Sequence, residues 1–387
     1  MREGRLPYGQ QWIDEEDEEA VVAALRSAWL TSGPAVSKFE AAFALVVGAA
    51  EAVAVSNGTA ALHASIHALS IGPGDEVIVP AITFVASANC VVYQGATPVF
   101  ADVAPETLLV NPVDVAARVS ERTRAIVAVD YAGQPCDYTQ LRTVTEAHGL
   151  AVVSDACHAL GASLADRRVG TLGDLSAFSL HPVKHITSGE GGVVTTNDSR
   201  LAERVRTFRN HGITTDHRQR EEQGQWSYQM QELGFNYRLT DLQCALATSQ
   251  LTKLPTWVER RRAIAANYDR RLGEVPGVHP LAQQPGGRHA YHLYVVRIDS
   301  SIIGASRDEM FTALRAEGIG VNVHYSPVHL HPYYRERFGT KEGQCPVAEL
   351  VSQQVLSLPM FPRMTDSDLD SVVEALAKVV SFYRGDA

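Results

Sequence analysis

Long apolar runs are missing from this chain. None approaches the ~20 residues that a membrane-spanning helix needs. The opening stretch, MREGRLPYGQQWIDEEDEE, lacks the apolar centre of a secretion signal. Cysteine is sparse: Cys90, Cys136, Cys157, Cys244 and Cys345 are scattered, odd in number and never spaced as CxxC. Free thiols in a reducing cytoplasm are therefore expected, and no zinc site. Basic runs are also missing. The 34 lysines and arginines face 44 acidic residues, a net charge of −10. Neither nucleic acid nor an anionic membrane fits that balance as a main partner. An anionic ligand must be held by local donors, since the overall field repels it.

What is present is an ordinary globular composition, 45% hydrophobic and 20% charged over 387 residues. That length allows a large core and two domains. AVAVS (52–56), EVIVP (76–80), TPVFADV (97–103), AIVAVDY (125–131) and AVVSDA (151–156) read as buried strands. Helical patterns alternate with them, so a mostly parallel sheet covered by helices is expected. The acidic cluster DEEDEE, from Asp14, reads as a helix start favoured by the helix dipole, not as a metal site. A long helical region follows from Asp241, with Pro255 expected to kink or break it. The pattern then thins into a smaller α+β unit. The expected division is 1–255 for a large domain with an N-terminal arm and 256–387 for a small one.

Three stretches could carry chemistry. In SNGTAAL, a strand ends at Ser56, Asn57-Gly58 turns, and a helix begins near Thr59. Free N–H groups at a helix start bind anions, although the same residues also make a plain cap. In VVSDACHALGA, Asp155 closes an apolar strand, where open α/β sheets place ligands, and His158 follows. A structural aspartate with a satisfied histidine is the equal alternative there. In AFSLHPVKHITSGEGGVV, Lys184 follows a strand among apolar and small residues. Desolvation lowers the pKa of such an amine and suits it to Schiff-base formation, whereas a lone lysine is more often a solvated charge. Taken together, the three supply what pyridoxal 5′-phosphate requires: a phosphate cup, a partner for the ring nitrogen and a lysine for the aldehyde.

With WLTSGPAVSKFE, SNGTAALH, PAITFVASANC, SDACHALGA, FSLHPVKHITSGEGG, GFNYRLTDLQ and VNVHYSPVHLHPYY in order over nearly the whole chain, the sequence resembles the DegT/DnrJ/StrS-type sugar aminotransferases. The resemblance implies the fold-type I, aspartate-aminotransferase-like architecture and a homodimer with shared active sites. It implies that Lys184 forms the internal aldimine and shuttles a proton, that Asp155 holds the pyridinium proton, and that His158 lies by the phenolic oxygen. Phe84 would stack on the ring. Gly58, Thr59, Ala60 and Ser179 would hold the phosphate, and Asn236 would reach the neighbouring subunit's phosphate. The cofactor would alternate between pyridoxal and pyridoxamine phosphate. Some relatives are dehydratases with histidine at the aldimine position; HPVK places Lys184 there, which implies transamination.

Within the family, VDYAGQP, RTFRNHGITTD and VNVHYSPV are similar to the branch of pseudaminic acid biosynthesis. That likeness implies a UDP-4-keto-6-deoxy-N-acetylhexosamine acceptor and L-glutamate as donor. Substrate contacts would come from Tyr8, Trp29, Leu30, Thr31, His324, Tyr325, Ser326 and Pro327. Ala28 and Ser326 stand where basic residues are expected, so Arg238 or His329 would serve the diphosphate. The alternatives are another nucleotide keto-sugar (a bacillosamine-type 4-amino or a 3-amino sugar) and a cofactor-bound regulatory protein without turnover. Trp226, Trp257 and Tyr294 read as core or interface packing.

Overall fold

The computed structural model describes residues 4–215, 217–222 and 224–386. The apolar runs form seven strands: β1 (Glu51–Val55), β2 (Glu76–Pro80), β3 (Thr97–Ala101), β4 (Thr123–Val129), β5 (Ala151–Asp155), β6 (Leu175–Ser179) and β7 (Gly192–Thr196). They make one sheet in the order β1-β7-β6-β5-β4-β2-β3. Only the two pairings of β7 are antiparallel; the other four are parallel. Six strands thus point the same way and bring their carboxyl ends to one edge. Every residue of β2 and β7 is buried, which explains why these strands read as unbroken apolar runs without alternation.

Helices cover the sheet. The acidic cluster starts α1 (Glu15–Leu25), where Asp14 and Asp17 form a reciprocal capping box. The second helix, α2 (Pro34–Val47), packs on β1, and α3 (Gly58–Ala68) packs on β6 and β7. The short α4 (Ala86–Tyr93) follows β2. Of the two outcomes expected at Pro255, a kink or a break, the break does not occur: α5 (Asp241–Leu272) runs through it for 32 residues. A proline removes one helical donor and crowds the preceding turn. Tertiary packing overrides that penalty here. Leu251, Leu254, Trp257 and Val258 are all buried around the proline, and Trp257 stacks on Trp12 at 5.6 Å. Lys253 also pairs with Asp14 and Asp17 of the α1 start.

Two apolar cores result. The larger wraps the seven-stranded sheet. The smaller lies between the second half of α5, an antiparallel sheet of β8 (Val278–Pro280), β9 (Tyr294–Ile298) and β10 (Val355–Leu358), and α6 (Asp366–Arg384). Leu6 completes the smaller core from the opposite end of the chain, bridged to Ile319. No described helix is long and apolar enough to cross a membrane.

Candidate active site

Asp155 is the last residue of β5 and is 6% exposed. Its Oδ2 accepts a 2.6 Å hydrogen bond from Ser87 Oγ in α4, and Ser87 Oγ lies 2.6 Å from Thr83 Oγ1. Its Oδ1 accepts from the Cys157 N–H at 3.2 Å. The carboxylate is thus oriented from two sides at the sheet edge.

Lys184 stands five residues beyond the end of β6. The chain turns there because the Lys184 N–H donates to His181 O at 2.9 Å, and Thr187 Oγ1 ties back to Leu180 O. Burial pushes the ammonium pKa below its ordinary value, while Cys157 and Asp155 pull it up. His158 is buried, with Nε2 3.1 Å from Tyr325 Oη. Burial, then the charges of Lys184, His324 and His185, hold its pKa well below the usual range. It is therefore a neutral imidazole, and its Nδ1 is buried without a partner among the described residues.

The anion cup forms where β1 enters α3. Asn57 caps the helix, its Oδ1 accepting the Ala60 N–H at 2.8 Å. That bond occupies the expected Ala60 donor, leaving Gly58 and Thr59 as the backbone donors without intrahelical acceptors. Gly58 must lack a side chain: a Cβ there would lie 2.9 Å from Ser179 Cβ and 3.2 Å from Cys157 Sγ. Ser179, at the end of β6, therefore closes directly on the helix start.

Tyr8, His324, Tyr325 and Phe84 surround this centre. The His324 ring is 5.8 Å from Tyr8, with Nδ1 2.8 Å from Ser357 Oγ. Phe84 is 55% exposed and 6.1 Å from the Tyr325 ring. Ser326 is exposed and Pro327 buried beside them. Trp29, Leu30, Thr31 and Arg238 meet elsewhere, lining a cavity of about 600 Å³ with Arg220 and Tyr228. Asn236, exposed, pairs with Asn210 on that cavity's wall.

His329 departs from its expected role. It is fully buried, its Nε2 held 2.9 Å from Glu349 Oε1 and its ring 5.9 Å from Phe100. It fastens the helix Pro346–Ser352 and offers nothing to a diphosphate. Trp226 is 90% exposed and so is not core, whereas Trp257 and Tyr294 are buried. Sequence reasoning also missed Ser87, Tyr131, Arg261 and His292. Tyr131 donates to His324 O, and His292 Nε2 lies 3.4 Å from Lys184 Nζ. The string YHLYVV reads only as a strand, so nothing local marked His292.

The free helix-start donors, the oriented carboxylate, the desolvated lysine and the unpartnered His158 Nδ1 suit a planar aldehyde bearing a phosphate. No group of acidic, histidine or cysteine side chains able to hold a metal occurs among the described residues. Site and sheet topology together define a fold-type I, pyridoxal-phosphate-dependent transferase. The chain belongs to the DegT/DnrJ/EryC1/StrS aminotransferase family, whose profile matches residues 11–377. It is 42% identical over 377 residues to the spore coat polysaccharide biosynthesis protein SpsC of Bacillus subtilis, covering 97% of both chains. The fold matches Helicobacter pylori PseC, an aminotransferase of pseudaminic acid biosynthesis, with a TM-score of 0.90, 30% identity and coverage of 98% and 100%. It also matches DesI, solved with its TDP-sugar product, at TM-score 0.89, 34% identity and coverage of 100% and 95%. Solved relatives hold the cofactor in its PLP and PMP forms. The chain is thus a pyridoxal-phosphate-dependent sugar aminotransferase.

Proposed function

We propose that the enzyme moves the amino group of L-glutamate to C4 of a UDP-linked 4-keto-6-deoxy-N-acetylhexosamine, as in the making of a pseudaminic acid precursor. The observation that carries the chemistry is the convergence of Lys184, Asp155 and the Gly58 cup at one sheet edge. The likeness to PseC supports the sugar. Bound pyridoxal phosphate supplies an electron sink for the carbon that gains or loses the amine. The residues do the rest. Gly58, Thr59 and Ser179 hold the phosphate. Asp155 keeps a proton on the ring nitrogen, and His158 borders the ring without adding charge. Lys184, its pKa lowered by burial, is both the covalent anchor and the base at the substrate carbon.

The acceptor's sugar lies with Tyr8, His324 and Tyr325 on the Lys184 side. Its diphosphate falls to the cavity of Trp29, Thr31 and Arg238 on a second copy of the chain, where Asn236 also faces outward. The active unit is therefore a homodimer with two shared sites. One observation favours a second reading: DesI is similar along its length and was solved with a TDP-sugar, so a thymidine nucleotide is the competing acceptor.

The test is a pair of reactions with L-glutamate, one on UDP-2-acetamido-2,6-dideoxy-β-L-arabino-hex-4-ulose and one on a TDP-4-keto-6-deoxyglucose. Product NMR reads which carbon is aminated and on which face. Amination of the TDP-sugar alone overturns the first reading.

A further inference from the structure

His292 reaches the lysine from the turn before β9. It is 5% exposed, and its Nε2 is the one hydrogen-bond partner of Lys184 Nζ among the described residues, at 3.4 Å. Its Nδ1 is buried with no partner among them. The ring lies 4.4 Å from that of His158 and 5.8 Å from that of His185.

A histidine with one nitrogen tied to a carbonyl, which can only accept, has a fixed tautomer. His185 is of that kind, with Nε2 bonded to Ala290 O at 3.1 Å. His292 is not. Its Nε2 can accept from an ammonium or donate to a neutral amine, and Nδ1 resists neither state. The position of the ring is fixed from the backbone instead. Arg261, 1% exposed and without a carboxylate partner among the described residues, donates to Tyr291 O at 3.1 Å, His292 O at 3.4 Å and Met360 O at 3.0 Å. Burying an unpaired guanidinium is expensive unless its donors are satisfied. Those three carbonyls, all reached by Nη1, offset part of that cost, Nε being buried without a partner among the described residues, and they clamp the His292 turn to the segment after β10.

We propose that His292 is a catalytic partner of Lys184, taking and returning the proton of its amine, and that Arg261 is the positioning residue that holds it there. The step is balanced and needs no other reactant. An N–H bond of the Lys184 ammonium breaks, its electron pair stays on Nζ, and the proton forms a bond to His292 Nε2; the reverse restores both. Burial and then Lys184, His158, His185 and Arg261 all disfavour a charged His292, while Asp155 and Cys157 act on the Lys184 side. The imidazolium is therefore disfavoured, and the proton returns from His292 Nε2 to Nζ.

This inference rests on the pyridoxal-phosphate reading of the site and is independent of the sugar. The experiment mixes apo full-length protein with pyridoxal phosphate and follows covalent capture by stopped-flow absorbance from pH 6 to 9. His292→Ala is expected to slow capture at least tenfold near neutrality, with the deficit shrinking as pH rises. Added imidazoles should restore the rate in the order of their basicity. Pyridoxine 5′-phosphate, which has no aldehyde, should bind wild type and variant alike. Arg261→Met should slow capture in the same direction. Capture by His292→Ala at the wild-type rate across the range overturns the proposal. So does slow capture that no imidazole rescues and that parallels lost pyridoxine phosphate affinity, since that pattern marks a structural role. A wild-type protein that never captures the aldehyde would overturn the underlying cofactor reading instead.

Discussion

Ser87 Oγ donates a 2.6 Å hydrogen bond to Asp155 Oδ2, so the start of α4 aims the carboxylate that ends β5. Hydrogen bonds to charged groups are worth roughly 1.5–3 kcal/mol. Ser87→Ala is therefore expected to weaken cofactor affinity about tenfold. Asp155→Asn should do more, since an amide cannot hold a ring-nitrogen proton by charge. Equilibrium titration of the apo variants with pyridoxal phosphate measures both. Unchanged affinity in both variants would remove Asp155 from the ring.

The Gly58 position tolerates no bulk. A Cβ would already crowd Ser179 and Cys157, and Gly58→Val adds two methyl groups to it. Its affinity for inorganic phosphate and for the cofactor should fall together, with Gly58→Ala intermediate. Calorimetry reads the two ligands separately. A loss confined to the cofactor would place the phosphate elsewhere.

Asp241 organises the Trp29–Thr31 wall of the cavity to which we assign the sugar nucleotide. Its carboxylate accepts from the Gly33 N–H at 2.8 Å and the Ala35 N–H at 3.0 Å, while its own N–H donates to Leu30 O. It is 2% exposed. Asp241→Ala leaves the buried Gly33 donor and the half-buried Ala35 donor unpaired, a loss of about 2–4 kcal/mol, measurable by urea denaturation. Because Trp29–Thr31 lean on this contact, the KM for the nucleotide sugar should rise while the glutamate half-reaction stays near normal. An equal effect on both halves would contradict this placement of the sugar nucleotide.

Asp130 gives the fold a pH dependence of its own. It is fully buried and bonded to Cys136 N, Tyr138 Oη and Ser154 Oγ, and burial raises its pKa from 3.8 to about 7. The folded value is raised for an acid. Between about pH 4 and about pH 7 the unfolded chain therefore releases a proton that the folded chain keeps. This contribution to stability falls as pH rises through that window, by an amount on the order of a few kcal/mol. Asp130→Asn removes the dependence, so its Tm should gain on wild type as pH rises from 5 to 8. A constant Tm difference would show that Asp130 titrates normally.

The parts of this enzyme legible in the sequence are those that local physics writes into short strings. Parallel strands buried on both faces read as apolar runs, and a polar residue closing such a run, Asp155, stands out. Lys184 stands out likewise, as a lone charge among small and apolar neighbours. The resemblance to sugar aminotransferases then ordered these pieces, and the family match agrees with it. The rest depends on partners distant in sequence. His329 reads as a loop histidine until Glu349, 20 residues on, is seen to close over it. His292 sits in a strand-like string, and its meaning comes from Lys184, 108 residues away. Pro255 reads as a kink or a break, and the break is ruled out by packing that local propensity does not count, such as that of Trp257 on Trp12. Ala60 was expected to give its N–H to phosphate, but the Asn57 cap already uses it.

The measurement that tests the central claim most directly is an absorbance spectrum of wild type and Lys184→Ala after loading with pyridoxal phosphate, before and after L-glutamate. The account predicts a visible band in wild type that moves to shorter wavelength with glutamate, and neither the band nor the shift in Lys184→Ala. A Lys184→Ala protein that keeps the band and responds to glutamate would contradict it.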